Sequence, residues 1–330
     1  MLNYVTINFM FEIIMHPQIQ YLLILQDFRE FSNGVFDNLF LFVTMLGENF
    51  ILLSFATAIY WVVNKKAGIF LFFNLAISVI LNLFVKLTAC INRPWILDSR
   101  VCPIEQALPQ ADGYSFPSGH TARAMGVWGS ICYWWWNNKF IRYASLFIVL
   151  LVGFSRNYIG VHTPQDVIVS IILGILIILG LSKILTWIDY KPNRDLIIFT
   201  LLLFLGVLIY LFLYIKCANQ MLTYDATIHS INPLAMKHSE YGKLGFFFGV
   251  LCGWIIEKRF VNFSTEKLFV TKKIIITVVG LLLLNVLPST MCFLFGNVLP
   301  SQILSALIKF SSAIFILALY PIFIKFVVNR

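Results

Sequence analysis

Ser155-Arg156-Asn157-Tyr158-Ile159-Gly160-Val161-His162-Thr163-Pro164-Gln165-Asp166 joins two apolar runs, 141–158 and 164–187. Each run is about the length of ~20 residues that crosses a bilayer, so the polar stretch reads as the turn of a membrane hairpin. Thr163, Pro164 and Asp166 also read as a helix start, with Thr at the N-cap, Pro at the first helical position and an acid at the third. Capping accounts for the acid. It does not account for Arg156 or His162, which are costly at a membrane edge unless they have work to do.

Outward from this hairpin the same apolar pattern recurs at 39–63, 67–88, 120–138, 195–216, 241–257, 273–295 and 302–327. The expectation is an all-α polytopic membrane bundle of about nine transmembrane helices. Residues 18–36 interleave Leu22, Leu23, Leu25, Phe28 and Phe31 with Gln, Asp, Arg and Glu, which predicts a helix lying at the interface. The chain is thus expected to divide into an N-terminal segment (1–38), a helical core (39–187) and a C-terminal transmembrane extension (188–330). No cleavable signal peptide is read, because residues 1–15 carry Glu12 and lack a basic lead.

Composition agrees. Of the 330 residues, 60% are hydrophobic and 12% charged, too little polar surface for a soluble domain. The net charge of +9 does not signal nucleic-acid binding, because the basic residues fall between apolar runs rather than in one stripe. Lys65 and Lys66 follow the first span, Lys139 and Arg142 the third, and similar groups the fifth, seventh and ninth. By the positive-inside rule this predicts a cell-membrane protein with its N-terminus outside and its C-terminus in the cytoplasm. The six cysteines show no CxxC spacing; Cys90 and Cys102 flank the Lys86–Pro94 stretch and could pair if that loop faces an oxidising space, two free thiols being the default expectation.

Two further strings share the first one's chemistry. Lys86-Leu-Thr-Ala-Cys-Ile-Asn-Arg93-Pro94 ends the second span, and Pro117-Ser118-Gly119-His120 begins the third. In the predicted topology all three strings meet at the outer face. Lys86, Arg93 and Arg156 are a cationic cluster whose mutual repulsion an anion would relieve, and arginine clasps phosphate oxygens bidentately. The helix start at Ser118 and Gly119 offers unpaired N–H groups and close backbone approach to an anion. His162 is the candidate nucleophile, Asp166 its orienting carboxylate, and His120 the candidate general acid.

In one order and without a gap, these strings resemble the signature of the type 2 phosphatidic acid phosphatase (PAP2) superfamily. The resemblance covers residues 86–166 in motif and 39–187 in fold. It implies that Lys86, Arg93, Ser118, Gly119 and Arg156 bind phosphate, that His120 is the acid, and that His162 is the nucleophile assisted by Asp166. It also implies a helical bundle with no required metal, and no Asp/Glu-rich metal cage or other cofactor site is readable in the sequence. The three extra spans, and Leu46-Gly47-Glu48-Asn49 in the first, look more loosely like the nine-helix glucose-6-phosphatase and sphingosine-1-phosphate phosphatase members.

The expected function is hydrolysis of a lipid phosphomonoester or isoprenyl diphosphate at the outer face through a phosphohistidine. A soluble sugar phosphate is the second substrate choice. A phosphotransferase moving the group between lipids, and a vanadate-dependent haloperoxidase-like enzyme, are rivals with the same residues. Expected partners are the lipid substrate and the bilayer, with no nucleic acid. A glycine stripe at Gly242, Gly245, Gly249 and Gly253 suits close helix packing; packing within the chain is its default use and a homodimer the sharper reading. The 217–241 loop, with Asp225, His229, Lys237, His238 and Glu240, reads either as a lid or as a solvated loop.

Overall fold

The structure, a computed structural model, describes residues 4–111, 113–223, 233–264 and 269–328. Every regular element among them is a helix. In order they are α1 (Tyr4–Phe31), α2 (Asp37–Met45), α3 (Asn49–Ala58), α4 (Lys65–Ala89), α5 (Pro94–Leu97), α6 (Gly119–Ala124) and α7 (Ser130–Trp134). Then come α8 (Lys139–Tyr158), α9 (Pro164–Asp189), α10 (Arg194–Thr223), α11 (Pro233–Ile256), α12 (Val270–Phe295), α13 (Ser301–Ile314) and α14 (Tyr320–Val328). Single π-turns continue α3 to Val63, join α6 to α7, extend α11 to Val261 and join α13 to α14.

Among the described residues six helical stretches are long and apolar enough to cross a membrane, or seven if the bent pair α2–α3 forms one span. The polytopic bundle is therefore present. Two expected spans lie on helices outside that set: the short α6–α7 stretch and α11. The expected span over 39–63 is broken by a 45° bend between Met45 and Asn49. Gly47 at the break lies so close to α6 and α8 that a Cβ would come within 2.9 Å of Val152 and 3.1 Å of the His120 carbonyl. The break places Glu48 at the N-cap position of α3, at a helix end instead of mid-span.

Burial separates a centre from a periphery. The Lys65–Leu97 stretch is 72% buried, whereas α12 is 11% and the α10 span 17% buried. Large apolar side chains such as Phe204, Leu201 and Leu282 stay exposed, as expected of helices whose outer face meets lipid tails. Around α4 the backbone approaches closely: Gly126 leaves room for Leu75 of α4, and Gly174 of α9 for Met125. Asn64 caps α4 by accepting from the Ala67 N–H (2.9 Å), and Asn138 caps α8 through the Ile141 N–H (3.1 Å).

The C-terminal helices are tied to the rest by aromatic donors and small residues. Tyr60 donates its hydroxyl to the Leu317 carbonyl and Trp61 its indole N–H to that of Ile316, both at 2.9 Å. The glycine stripe is taken up within the chain, by α13 and the π-turn that follows it: Gly245 faces Ala306, Gly249 faces Phe310 and Ala313, and Gly253 faces Leu317. The two helices run parallel, with their N-terminal ends at one end of the bundle. At the other end Lys65 pairs with Glu257 at 2.6 Å, and Arg259 with Asp195 at 2.7 Å.

The expected interfacial helix over 18–36 is the C-terminal part of α1, which ends at Phe31 and is followed by turns. It packs on α8 and on the loop after α5, where Arg29 donates to the Cys102 carbonyl (2.6 Å) and Gln26 accepts from the Cys102 N–H (2.8 Å). Cys90 and Cys102 are unpaired thiols. In the 217–241 loop, Asp225, His229 and the side chain of Lys237 lie outside the described residues; His238 is exposed and Glu240 is buried.

A Cβ on Gly245 would lie 2.1 Å from the Ala306 carbonyl oxygen, whereas one on Gly180 would meet no atom within 4 Å. Gly245→Val is therefore expected to destabilise the protein by at least about 2 kcal/mol through overpacking. Gly180→Ala should cause no loss. Thermal unfolding in detergent, read for both variants side by side, checks this; equal melting temperatures would contradict the packing described.

Candidate active site

Four helix ends meet at one end of the bundle. Lys86 lies in the last turn of α4, which stops at Cys90 in a left-handed conformation (φ 49°). Arg93 is the N-cap residue of α5, Ser118 that of α6, and Arg156 sits in the last turn of α8. After α8 the chain turns through Gly160, whose φ of +83° suits glycine. The Val161 and His162 N–H groups fold back onto the Arg156 carbonyl at 3.2 and 3.3 Å. His162 is thereby fixed between α8 and α9.

The Asp166 carboxylate organises this turn. Its Oδ2 accepts from the Thr163 N–H at 2.9 Å, closing the helix start read from the sequence. The same oxygen lies 3.1 Å from His162 Nδ1 and accepts from Ser115 Oγ at 2.5 Å. Capping and orientation are both performed by one carboxylate. A carboxylate at Nδ1 favours the tautomer protonated there and makes Nε2 the ring's acceptor. Arg93 Nη1 is 3.0 Å from that Nε2.

His162 is buried, and it lies in the turn between two spans. Burial, followed by the charges of Arg93, Arg156 and Lys86, holds its pKa well below the usual imidazole value. The ring is therefore neutral near pH 7, the state in which nitrogen can attack phosphorus.

Backbone oxygens hold Lys86 and Arg93, and a hydroxyl holds Arg156. Lys86 donates to the Tyr114 carbonyl at 2.7 Å. Arg93 donates through Nε to the Gly113 carbonyl at 2.9 Å and through Nη1 to that of Val161 at 3.0 Å. Arg156 donates through Nη1 to Thr44 Oγ1 at 2.8 Å, while its Nε and Nη2 have no hydrogen-bond partner among the described residues. His120 Nε2 is likewise buried and unpartnered. Buried orphan donors and acceptors are rare in native proteins and point to a ligand.

The Ser118 loop is braced from three sides. Its N–H donates to the Asp166 carbonyl at 3.0 Å, and its Oγ accepts from Thr121 Oγ1 at 2.9 Å. Asn82, one turn before Lys86, donates to the Pro117 carbonyl at 3.1 Å. A Cβ on Gly119 would meet only Arg123 Nη1 at 3.6 Å and Asn82 Oδ1 at 3.7 Å. Polar atoms, rather than packed carbons, surround this glycine.

All eight residues predicted from the sequence fall within this constellation. Four contributors were not anticipated: Ser115, Thr44, Asn82 and Arg123. Arg123 follows His120 by three positions and so shares its helix face, the one signal by which it was detectable. Among the described residues no group of three or more His, Cys, Asp or Glu side chains gathers in a form that could hold a metal ion.

The comparisons with known proteins point to one family. The family model described as the PAP2 superfamily matches residues 67–190, and the PAP2 superfamily phosphatase transmembrane extension matches 241–329. The undecaprenyl-diphosphatase BcrC of Bacillus subtilis is 32% identical over 100 residues, which are 30% of this chain and 48% of that protein. The undecaprenyl-diphosphatase of Sulfolobus acidocaldarius is 31% identical over 111 residues, 34% of this chain and 52% of the relative. Phosphatidylglycerophosphatase B of Bacillus subtilis is 34% identical over 93 residues, 26% of this chain and 45% of that protein. The chain thus spans about half the length of the relatives it matches. No solved structure matches it significantly.

With a depressed pKa, His162 should remain neutral in the Nδ1–H tautomer at and below pH 6.5, where an ordinary histidine is half protonated. The unfolded chain would take up that proton first. The stability His162 contributes is therefore full above pH ~6.5 and is lost as pH falls from there toward the lower folded value. The chain has five histidines, so ¹⁵N-histidine spectra with a His162→Gln control can follow this ring. A midpoint at 6.5 or above would contradict the site's electrostatics.

Proposed function

The chain belongs to the PAP2 superfamily of membrane phosphatases, and from that premise we propose that it hydrolyses a lipid-linked phosphate, foremost an isoprenyl diphosphate, through a phosphohistidine on His162. The observation that carries this reading is His162 itself, neutral and buried, with Asp166 at Nδ1 and Arg93 at Nε2. In the resting protein Arg93 shares that lone pair; a phosphoryl oxygen would draw the guanidinium and leave Nε2 to the phosphorus.

The reaction is then two displacements. His162 Nε2 attacks the terminal phosphorus, the P–O bond to the lipid portion breaks, and the leaving oxygen takes a proton from His120, which enters the step as the imidazolium, its charge favoured by the bound phosphate. The Nδ1 proton stays shared with Asp166, whose charge stabilises the imidazolium formed. Water next attacks the phosphohistidine, His120 takes its proton, the N–P bond breaks and inorganic phosphate departs. Lys86, Arg93 and Arg156 stabilise the charge on the equatorial oxygens at each step, a role for which preorganised donors in a dry site are effective. Ser118 and Gly119 present the N-terminus of α6 to the same oxygens. The chemistry needs no redox step, and the charge that a metal would supply comes here from side chains.

Ser115 is a positioning residue in this scheme, since it reaches the reaction only through Asp166. The outer membrane face is the proposed location of the site. In support, the basic residues Lys65, Lys258, Arg259 and Lys325 collect at the opposite end of the bundle, as cytoplasmic ends do. A lipid substrate fits a site at a membrane surface because its tail stays in the bilayer while its phosphate enters the cluster.

Phosphate release by the detergent-purified protein should persist in EDTA with an isoprenyl diphosphate as substrate. His162→Ala should lose at least about a thousandfold in rate. Release abolished by EDTA, or unchanged in the variant, would overturn the scheme. Ser115→Ala should lower kcat by about ten- to a hundredfold with little change in KM, by analogy with other residues that orient a catalytic side chain. A purely structural role would instead lower the melting temperature and leave the kcat of the folded fraction intact.

A further inference from the structure

Beside the candidate site, across the Arg123 side chain, lies a cavity of about 320 Å³ between α6 and the C-terminal helices α11 and α13. Arg123 stands between the two. Its Nε donates to the Gly47 carbonyl at 3.0 Å, and its Nη1 lies 3.6 Å from the Cβ position of Gly119 in the phosphate loop. The same side chain lines the cavity, together with Asn49, Lys243, Ser305 and Lys309.

The two lysines that line this cavity are held differently. Lys243 is neutralised by buried Glu240 at 2.6 Å. Lys309 lies within the Ser301–Val327 span and has neither ion pair nor hydrogen bond among the described residues, while Arg123 is close enough for the two charges to repel. A lysine without a counter-charge at membrane depth is costly and is retained where it meets an ionic ligand or pathway. Gly242 keeps the space open, since a Cβ there would lie 2.7 Å from Ser305 Oγ and 3.6 Å from the Lys309 stem. His238 sits exposed on the rim.

We propose that this cavity is a second anion subsite, which takes the phosphate that remains on the lipid when a diphosphate is cleaved. The inference rests on the phosphatase reading and narrows it: the preferred substrate carries two adjacent phosphates. The terminal one lies at Lys86, Arg93 and Arg156 and is transferred to His162. The inner one lies against Arg123 and Lys309, where it leaves as the lipid monophosphate after its bridging oxygen takes the His120 proton. Arg123, three residues beyond His120, serves both subsites. A phosphomonoester would fill the first subsite alone.

The test compares wild type with Lys309→Met, and with Lys309→Arg as the charge-preserving control. Lys309→Met should lower kcat/KM for an isoprenyl diphosphate by about ten- to a hundredfold, the weight of a charge-assisted contact. It should weaken inhibition by inorganic pyrophosphate by a similar factor and leave inhibition by inorganic phosphate unchanged. Lys309→Arg should retain at least half of the wild-type value. The melting temperature of the methionine variant should not fall, because an unbalanced charge is being removed.

An unchanged kcat/KM in Lys309→Met, or equal weakening of pyrophosphate and phosphate, would overturn the second subsite while leaving the phosphatase reading standing. If wild type released no phosphate from any lipid phosphate, the phosphatase reading would fail. Calorimetric binding of pyrophosphate against phosphate to wild type and Lys309→Met would then decide the subsite separately. Loss of pyrophosphate affinity alone supports it; no difference between the two proteins overturns it.

Discussion

One carboxylate oxygen holds the site together. Oδ2 of Asp166 accepts from the backbone of Thr163, the hydroxyl of Ser115 and the ring of His162. The first contact starts α9, the second ties that start to the segment before α6, and the third sets the histidine's tautomer. A buried carboxylate with three donors is well satisfied, whereas one with none would be driven to protonate. The helix start and the chemistry thus depend on the same group. Packing of α9 against α4 and α6 determines where that group sits.

The surrounding cations illustrate a second constraint. Lys86, Arg93 and Arg156 are each at most 4% exposed. Backbone carbonyls of Gly113, Tyr114 and Val161 partly solvate Lys86 and Arg93, and the Thr44 hydroxyl does so for Arg156, which offsets some of the cost of burial without cancelling the charge. A cluster built this way retains its positive potential for an anion. An acidic side chain beside these cations would offset their charge and weaken the attraction for an anion.

Much of the helical bundle was legible in the sequence because lipid imposes a simple rule: long apolar runs must be helices. The candidate site residues stood out for a related reason. Charged and histidine side chains stand out at the ends of such runs, and their order matches a family signature. What escaped notice follows from the same logic. The break at Gly47 looks continuous in an apolar run, because only the approach of His120 and Val152 forbids a side chain there. Ser115 and Thr44 are ordinary polar residues in sequence, and their partners are 51 and 112 positions away. The glycine stripe announced close packing but could not say against which helix.

The sequence by itself determined the class of fold, the chemistry-bearing residue types and their placement at span ends, since hydropathy and charge are local properties. Tertiary structure alone decided which groups share a proton, which cations remain unbalanced and where α11 and α13 enclose a second polar space beside the first. Those outcomes depend on distances of 3–4 Å between segments far apart in the chain. Such distances are set by how helices pack and by small residues such as Gly47, Gly242 and Gly245 that let them approach.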